Sequence, residues 1–180
     1  LPSFAEGVDA VRALTQDLDR GMIADVTRLS DPEETRVTLT LAGRAGRAML
    51  RYAALRGSHT PCLLLLVWEG AEPDVLALRE KQCTSVLKAH RGIRLPSKVT
   101  RGWEAGRFSG PYLRDEFMTA GILAETLETA TTWDNTHRLH DAVAAAIRGA
   151  LEADGGKCTV MCHVSHVYGS GSSLYFMFAA

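Results

Sequence analysis

The sequence predicts an α+β domain in which an antiparallel or mixed sheet carries helices mainly on one face, in a ferredoxin-like arrangement. Three observations support this prediction. Several stretches repeat apolar residues at helical spacing. Others are short, β-rich and bounded by glycine or proline. The last two are joined by the turn Gly169-Ser170-Gly171, a hairpin signal that favours glycine at positive φ. The predicted order is α-β-α-β-α-α-β-α-β-β, and helical connections beside one hairpin are typical of this class.

The first half of the chain contains two capping boxes. Ser3-Phe-Ala-Glu6 predicts a helix start, and Ser30-Asp-Pro-Glu33 predicts a second one after a short strand at about 23–29. Positions 40–58, with four arginines and weak periodicity, are interpreted as a solvated loop or helix. A mobile excursion, or a patch for anionic lipid or a partner, remains the alternative. One face of the first helix is predicted to carry Phe4, Val8, Val11, Leu14 and Leu18.

The middle of the chain begins with an apolar run. Residues 60–69 predict a central strand that is covered on both faces. A long helix is predicted for 71–90, followed by a less regular segment at 94–110. The next helix, 111–120, is predicted to end at Gly121 in a left-handed cap.

The last third predicts a strand, a helix and a hairpin. Residues 122–132 are predicted to form a strand that is too polar for a pure core role. Asp134 is expected to cap a helix that runs to about residue 153, where Gly155-Gly156 ends it. The inward face of this helix is predicted to carry Leu139, Val143, Ile147 and Leu151.

Composition narrows the class of protein. The 180 residues predict one domain, and 46% hydrophobic with 23% charged residues indicates a globular protein with a real core. A net charge of -1 gives no support for nucleic-acid binding. The longest apolar run, 62–68, is too short to span a bilayer, and no signal peptide is visible. The four cysteines lack metal spacing, which favours reduced thiols in the cytoplasm. Because the chain begins at Leu1 rather than Met, we expect a fragment of a larger protein.

Candidate catalytic residues lie on the strand before the hairpin turn. Regular alternation places His166 and Tyr168 on the face of Cys162 and Val164, and His163 with Ser165 and Val167 on the other. His163 and Tyr168 therefore reach one pocket only if a bulge or the turn reorients Tyr168. A tyrosine beside a histidine can accept or donate a proton. The alternative is that Tyr168 closes the hairpin and His166 is half-exposed. The spacing of His163 and His166 along the strand disfavours a metal site formed by these two residues.

A second candidate is Arg28, at the end of a strand and next to a helix start. An arginine at a helix N-terminus can bind a phosphate or carboxylate, although a surface ion pair with Asp31 or Glu33 remains the alternative. Glu125 and Glu128 point to opposite faces of their strand, so a paired-carboxylate mechanism is disfavoured. Each could instead pair with an arginine.

These residues carry a resemblance to a known family. Arg28–Asp31, Glu125–Asp134 and Cys162–Phe178 occur in the order seen in FAD-linked oxidases of the vanillyl-alcohol oxidase type. Within that family the chain is most similar to the alkyldihydroxyacetonephosphate synthases and their bacterial homologues. The resemblance extends from Pro2 to Phe178 and weakens over 40–58.

The resemblance implies that this segment is the cap over the substrate side of the flavin, while a separate N-terminal domain of the same polypeptide binds FAD. Tyr168 then matches a tyrosine that exchanges a proton with the substrate, and Arg28 matches an active-site arginine. His163 stands where the ether-lipid enzyme has an arginine, although a protonated histidine could still hold an anion. The family's histidine-rich segment would lie beyond Ala180.

We therefore expect a substrate-binding cap domain, residues 1–180, of an FAD-dependent oxidoreductase that acts on an alcohol, a 2-hydroxy acid or a glycerone phosphate ester. Tyr168 and His166 are the expected catalytic residues, and Arg28 and His163 the residues that bind the small-molecule substrate. No metal is expected, and the fragment alone is predicted to be inactive. The alternative function is a non-catalytic α+β binding or dimerisation module that forms a homodimer.

Overall fold

The structure is a computed structural model that describes residues 1–108, 110–153 and 155–180. Its helices and strands alternate much as predicted, with more helices between the first two strands and between the second and third. The elements are α1 (Phe4–Asp17), β1 (Val26–Ser30), α2 (Pro32–Leu41), α3 (Gly43–Leu55), β2 (Leu64–Val67), α4 (Pro73–Ala89), α5 (Lys98–Gly106), α6 (Gly110–Thr119), β3 (Ala124–Thr132), α7 (Thr136–Leu151), β4 (Thr159–Val167) and β5 (Gly171–Ala179).

The five strands form one sheet in the order β2-β1-β4-β5-β3, and the paired strands are antiparallel. The α+β prediction is thus confirmed, with the antiparallel form of the two that were open. The core lies between one sheet face and the helices α1 and α7. Its buried side chains include Phe4, Val8, Val11, Ala144, Leu29, Val160, Val164, Leu174 and Phe176.

The first helix forms as its capping box predicts. Ser3 Oγ accepts a hydrogen bond from the Glu6 backbone N–H at 3.2 Å, which satisfies one donor of the first turn. The predicted apolar face is buried at four of its five positions, and Leu18 at the C-cap is half-buried.

The start of α7 differs from the prediction. Trp133–Asn135 forms a 3-10 turn, and α7 begins at Thr136 without a side-chain cap. Asp134 does not cap the helix but pairs with Arg12 at 2.8 Å on the surface. Trp133 is buried instead, and its indole N–H donates to the Tyr168 carbonyl at 3.0 Å, which ties the start of α7 to the hairpin.

The prediction of a central strand at 60–69 was wrong, because β2 lies at the edge of the sheet and pairs only with β1 among the described strands. Its apolar composition has another cause. Leu65 is buried at 4% exposure and lines a cavity beneath α3 and α5, while Leu64, opposite Leu29, packs against the core. Both faces of an edge strand are covered here, so it has the composition of a central one.

The remaining elements agree closely with the prediction, and the cap of α2 differs by one residue. The cap of α2 is Asp31 rather than Ser30, and it accepts from the Glu34 N–H at 2.7 Å. Positions 40–58 are mostly the helix α3, which agrees with the solvated helix in the first interpretation. The irregular segment at 94–110 contains α5. Gly121 has φ +76°, as the predicted left-handed cap requires.

The hairpin between β4 and β5 forms, but its glycines serve another purpose than predicted. Neither Gly169 nor Gly171 has a positive φ. Gly171 is needed because β3 approaches closely, and a Cβ at this position would lie 2.0 Å from the Thr131 carbonyl oxygen.

Replacing Gly171 by alanine is expected to destabilise the chain by about 1–3 kcal/mol, because the added methyl forces β3 and β5 apart. Gly149→Ala is the matched control, since that glycine lies in α7 and a Cβ added there would meet nothing within 4 Å. There alanine is expected to be neutral or to stabilise by up to about 1 kcal/mol. Urea denaturation followed by circular dichroism measures both, and equal effects would contradict the steric account.

Candidate functional site

Arg28 and His163 come together because β1 pairs with β4. The register places Ser30 opposite His163, so Arg28, two residues before Ser30, is on the same sheet face as His163. Arg28 Nη1 lies 2.8 Å from His163 Nε2. Tyr175 is directly opposite His163 on β5, and its ring stacks on the imidazole with centroids 5.1 Å apart. We call this side of the sheet the polar face.

Glu34 completes this cluster, and the sequence analysis missed it. The Asp31 cap starts α2 so that Glu34, in its first turn, projects back to β1. Its carboxylate accepts a hydrogen bond from Arg28 Nη2, and Oε1 lies 3.4 Å from His163 Nδ1. The alternative ion pairs of Arg28 with Asp31 or Glu33 do not form. The sequence did contain a signal for Glu34, because a carboxylate three residues after a helix cap lies in the first turn. The cap was predicted at Ser30 instead of Asp31, so this position was assigned to Glu33.

Glu34 is ionised although it is only 5% exposed. Burial raises the pKa of its carboxyl, but the contacts with His163 and Arg28 together lower it by more, so the pKa lies below its ordinary value. Within the part of the chain that the structure describes, Glu34 Oε2 and His163 Nδ1 are buried without a hydrogen-bond partner.

The two ring nitrogens of His163 face different partners. Arg28 can only donate, so His163 Nε2 accepts in their contact, while Nδ1 faces Glu34. The ring of Trp103, on α5, lies on the other side of Arg28, with its centroid 5.9 Å from the guanidinium carbon.

A β-bulge decides where Tyr168 lies. Val164 pairs with Leu174, but the next pair is Val167 with Ser172, so β4 has one residue more than β5 between them. Val167 therefore packs against the core, and alternation puts Tyr168 on the polar face with His163. The prediction that Tyr168 and His166 share a face with Cys162 and Val164 was wrong for this reason. The bulge that a common site requires is present.

His166 lies among serines near the turn, on the same face. Its Nδ1 is 3.2 Å from both Ser165 Oγ and Ser173 Oγ, and Ser165 also donates to Glu128 at 3.1 Å. Glu128 and Glu125 do lie on opposite faces of β3, as predicted, and Glu125 pairs with Arg114. The His166 side chain is 65% exposed, so it is available to a bound molecule.

Tyr168 is 56% exposed and stands where the hairpin begins. Its backbone pairs with Gly171, with the Tyr168 N–H donating at 2.8 Å. From His163 to Tyr168 the strand extends roughly 15 Å. Among the described residues no side chain connects the two groups directly. The structure thus makes two polar clusters on one face, with Arg28 and His163 in one and His166 and Tyr168 in the other.

A large cavity lies elsewhere. It has a volume of about 470 Å³, is partly open to solvent and is bordered by β2, α3, α4 and α5. Apolar side chains such as Met49, Leu66 and Val99 line it, and the lining includes none of the four predicted site residues. Thr35, the residue after Glu34, is part of its lining.

Other kinds of site find no support in the described residues. No group of three metal-ligating side chains occurs there. None of the helices in the described ranges combines the length and the hydropathy that a membrane span needs. The four cysteines are free. Burial raises the pKa of the Cys62 thiol to about 12, which makes it a poor nucleophile.

A comparison with known families matches the whole of residues 1–180 to the FAD-linked oxidases, C-terminal domain. The chain belongs to this family. This match confirms the resemblance to FAD-linked oxidases that the three sequence segments indicated.

Curated relatives are alkyldihydroxyacetonephosphate synthases. The chain is 25% identical to the alkyldihydroxyacetonephosphate synthase of Dictyostelium discoideum over 99% of the chain and 30% of the relative. For Trypanosoma brucei brucei the identity is 24% over 98% of the chain and 30% of the relative. The chain thus spans about 30% of the length of these relatives.

Solved structures confirm the fold. An alkyldihydroxyacetonephosphate synthase in space group P1 superposes with a TM-score of 0.80 and 23% identity, covering 100% of this chain and 35% of that one. The same enzyme type in P212121 gives 0.81 and 22%, covering 99% and 34%. At this identity the likeness establishes the architecture of the FAD-linked oxidase C-terminal domain.

Proposed function

We propose that residues 1–180 are the substrate-side cap of an FAD-dependent oxidoreductase and act together with an FAD-binding domain of the same polypeptide. The observation that carries the proposal is the polar face, where a bulge in β4 puts Tyr168 and His166 on the same side as the Arg28 cluster. The match to the FAD-linked oxidases supports the cofactor. The reaction is oxidation of an alcohol or 2-hydroxy acid, or an alkylglycerone-phosphate synthase-like exchange on a glycerone phosphate ester.

The residues of the polar face fit a flavin ring better than they fit the rest of FAD. Tyr168, His166 and Glu128 present exposed hydrogen-bonding groups on one sheet face, which suits a planar ring with polar edges. The Gly169–Gly171 turn leads into a strand rather than a helix, so it does not cradle phosphates. The phosphates and adenine are therefore assigned to the other domain.

Each residue then has a separate task. Arg28, oriented by His163 and Glu34, holds an oxygenated or anionic group of the substrate. Tyr168 Oη takes a proton from the substrate or returns it. His166 lies on the same face and is positioned by Ser165 and Ser173 to exchange that proton with water. The bound flavin supplies the redox chemistry.

A second candidate is a non-catalytic binding or dimerisation module. The α5–α6 region exposes several large apolar side chains, which favours association. They include Phe108 at 72%, Tyr112 at 74% and Met118 at 60% exposure. In this reading Tyr168 only closes the hairpin and its hydroxyl is dispensable.

The visible spectrum of the full-length protein tests the proposal. We expect a bound flavin that bleaches when a substrate is added without oxygen. Bleaching with a 2-hydroxy acid or alcohol would establish an oxidase or dehydrogenase, and bleaching only with an acylated glycerone phosphate would establish the ether-lipid exchange. A full-length protein without flavin would contradict the proposal and favour the binding module.

A further inference from the structure

A second, smaller pocket lies at the end of α4. It has a volume of about 240 Å³ and is partly open to solvent. Three cationic side chains line it, Arg56, Lys88 and Arg91, and the described residues of its lining include no carboxylate and no residue of the polar face. Arg56 directly follows α3, whereas Lys88 lies in the last turn of α4 and Arg91 just beyond it. We call this the cationic pocket.

Contacts at the rim hold two of these cations in place. Arg56 donates to the Tyr52 hydroxyl at 3.1 Å, and its guanidinium carbon lies 5.9 Å from the centroid of that ring. Arg91 lies 3.7 Å from the Glu6 carboxylate of α1. Glu6 and the carbonyl end of α4, which carries about half a negative charge, offset only part of the three positive charges. The cationic pocket therefore keeps a net positive charge.

Arg91 adopts a backbone conformation that favours glycine. Its φ is +59°, and it is the one non-glycine residue with a positive φ in the described parts of the chain. Glycine is the usual residue at this position after a helix, because a side chain there costs stability. Gly92 follows for another reason, since a Cβ there would lie 2.7 Å from the Leu87 carbonyl oxygen. The chain thus keeps an arginine against its backbone preference, and the cationic pocket is where that arginine lies.

The neighbouring sequence adds positive potential. Between residues 35 and 68 the chain contains five arginines and no aspartate or glutamate, although its net charge is -1. Three of these arginines, Arg44, Arg47 and Arg51, are exposed on α3, which leads to the cationic pocket. A field of this sign raises the local concentration of anions and speeds their association.

We infer that the cationic pocket binds a phosphate dianion, either free or as the terminal group of a phosphate monoester. Arginine N–H groups match phosphate oxygens, and a lysine supplies a compact positive charge. Pockets for drug-sized ligands measure about 300–1,000 Å³, so the smaller volume here suits a small anion. This site is separate from the polar face, and the inference does not depend on the proposed function.

Calorimetric titration of the full-length protein with inorganic phosphate and with methyl phosphate tests the inference at about pH 8, where both are mainly dianions. We expect saturable binding with a Kd of about 1 mM or less. Arg56→Gln and Lys88→Gln should each weaken binding about tenfold, because each removes a charged donor. Methyl phosphate that binds as tightly as inorganic phosphate assigns the cationic pocket to an ester, and weaker binding assigns it to the free anion.

Arg91→Gly separates binding from stability. It relieves the backbone, so the midpoint of thermal unfolding should stay or rise by up to about 3 °C. Phosphate binding should nevertheless weaken about tenfold. Glu6→Gln should act in the opposite direction and tighten binding about threefold, because a repelling carboxylate is lost.

Arg44→Gln is the matched control, since it makes the same change of net charge about 18 Å away along α3. That distance exceeds the Debye length of about 8 Å at physiological salt, so binding should change by less than about twofold.

No saturable binding of either probe up to about 10 mM would overturn the inference. Equal effects of Arg91→Gly and Arg44→Gln would also overturn it, as would weaker binding in Glu6→Gln. An Arg91→Gly variant that unfolds at a lower temperature would show that packing, and not a ligand, retains the arginine. None of these outcomes involves the flavin, so they leave the proposed function intact, and a full-length protein without flavin leaves this inference intact.

Discussion

Replacing Tyr168 by phenylalanine in the full-length protein is expected to slow flavin reduction by about two to four orders of magnitude, the usual contribution of a positioned proton acceptor. Only the hydroxyl is removed. Because the ring is 56% exposed at the hairpin, stability should change by less than about 0.5 kcal/mol. Rapid mixing without oxygen measures the rate, and thermal denaturation measures the stability.

Tyr112→Phe is the control for this experiment, since Tyr112 is a comparably exposed tyrosine on α6, away from the polar face. In the Tyr112→Phe variant the flavin should be reduced by substrate at the wild-type rate. If Tyr168→Phe also kept the wild-type rate, the tyrosine would have no part in proton transfer and the binding module would become the better account.

Arg28→Gln is expected to destabilise the chain by about 3–5 kcal/mol, because it leaves the Glu34 carboxylate buried without its cation. The double variant Arg28→Gln with Glu34→Gln should recover much of this loss, since no buried charge then remains. Urea denaturation of the two single variants and the double variant gives the coupling free energy directly.

The stability that Arg28→Gln loses should depend on pH in a defined direction. The folded pKa of Glu34 lies below its unfolded value, so its ionisation stabilises the native chain above the unfolded pKa, and this contribution disappears as pH falls through the folded pKa. In Arg28→Gln the same ionised carboxylate is a penalty. The deficit relative to wild type should be largest near neutral pH and should shrink in acid.

A surface pair provides the control for this stability experiment. Arg36→Gln breaks the contact between Arg36 and Glu33, whose side chains are 59% and 31% exposed. Such a pair contributes less than about 1 kcal/mol. A loss for Arg28→Gln no larger than that for Arg36→Gln would show that Glu34 is not held as a buried charge.

Local signals in the sequence predicted the fold class and most elements. The Ser3 capping box, the apolar face of α1 and Gly121 depend only on nearby residues, and the structure agrees with each. Predictions that depend on distant partners did less well. From its composition alone, the apolar run at 60–69 could not show whether β2 is covered by helices at the edge of the sheet or flanked by strands on both edges.

The candidate site shows the same division. Arg28 and His163 were selected from their positions in strands, but their contact depends on the register of β1 with β4, which lies 135 residues away in the chain. Glu34 was missed because the cap was placed one residue early, at Ser30, so the carboxylate of the first turn was taken to be Glu33. The bulge in β4 was recognised as a requirement, but alternation alone could not locate it.

That bulge has a consequence for how the chain can vary. The extra residue between Val164 and Val167 shifts the phase of side-chain alternation, so the two ends of β4 face the core with opposite parity. Deleting Ser165 or His166 would leave one residue on each strand between the two pairs, so β4 would pair with β5 without a bulge and Tyr168 would stay on the polar face. Among descendants of this sequence, the loss of one residue here would therefore conserve the polar face, whereas a strand of unchanged length that paired regularly would turn Tyr168 toward the core.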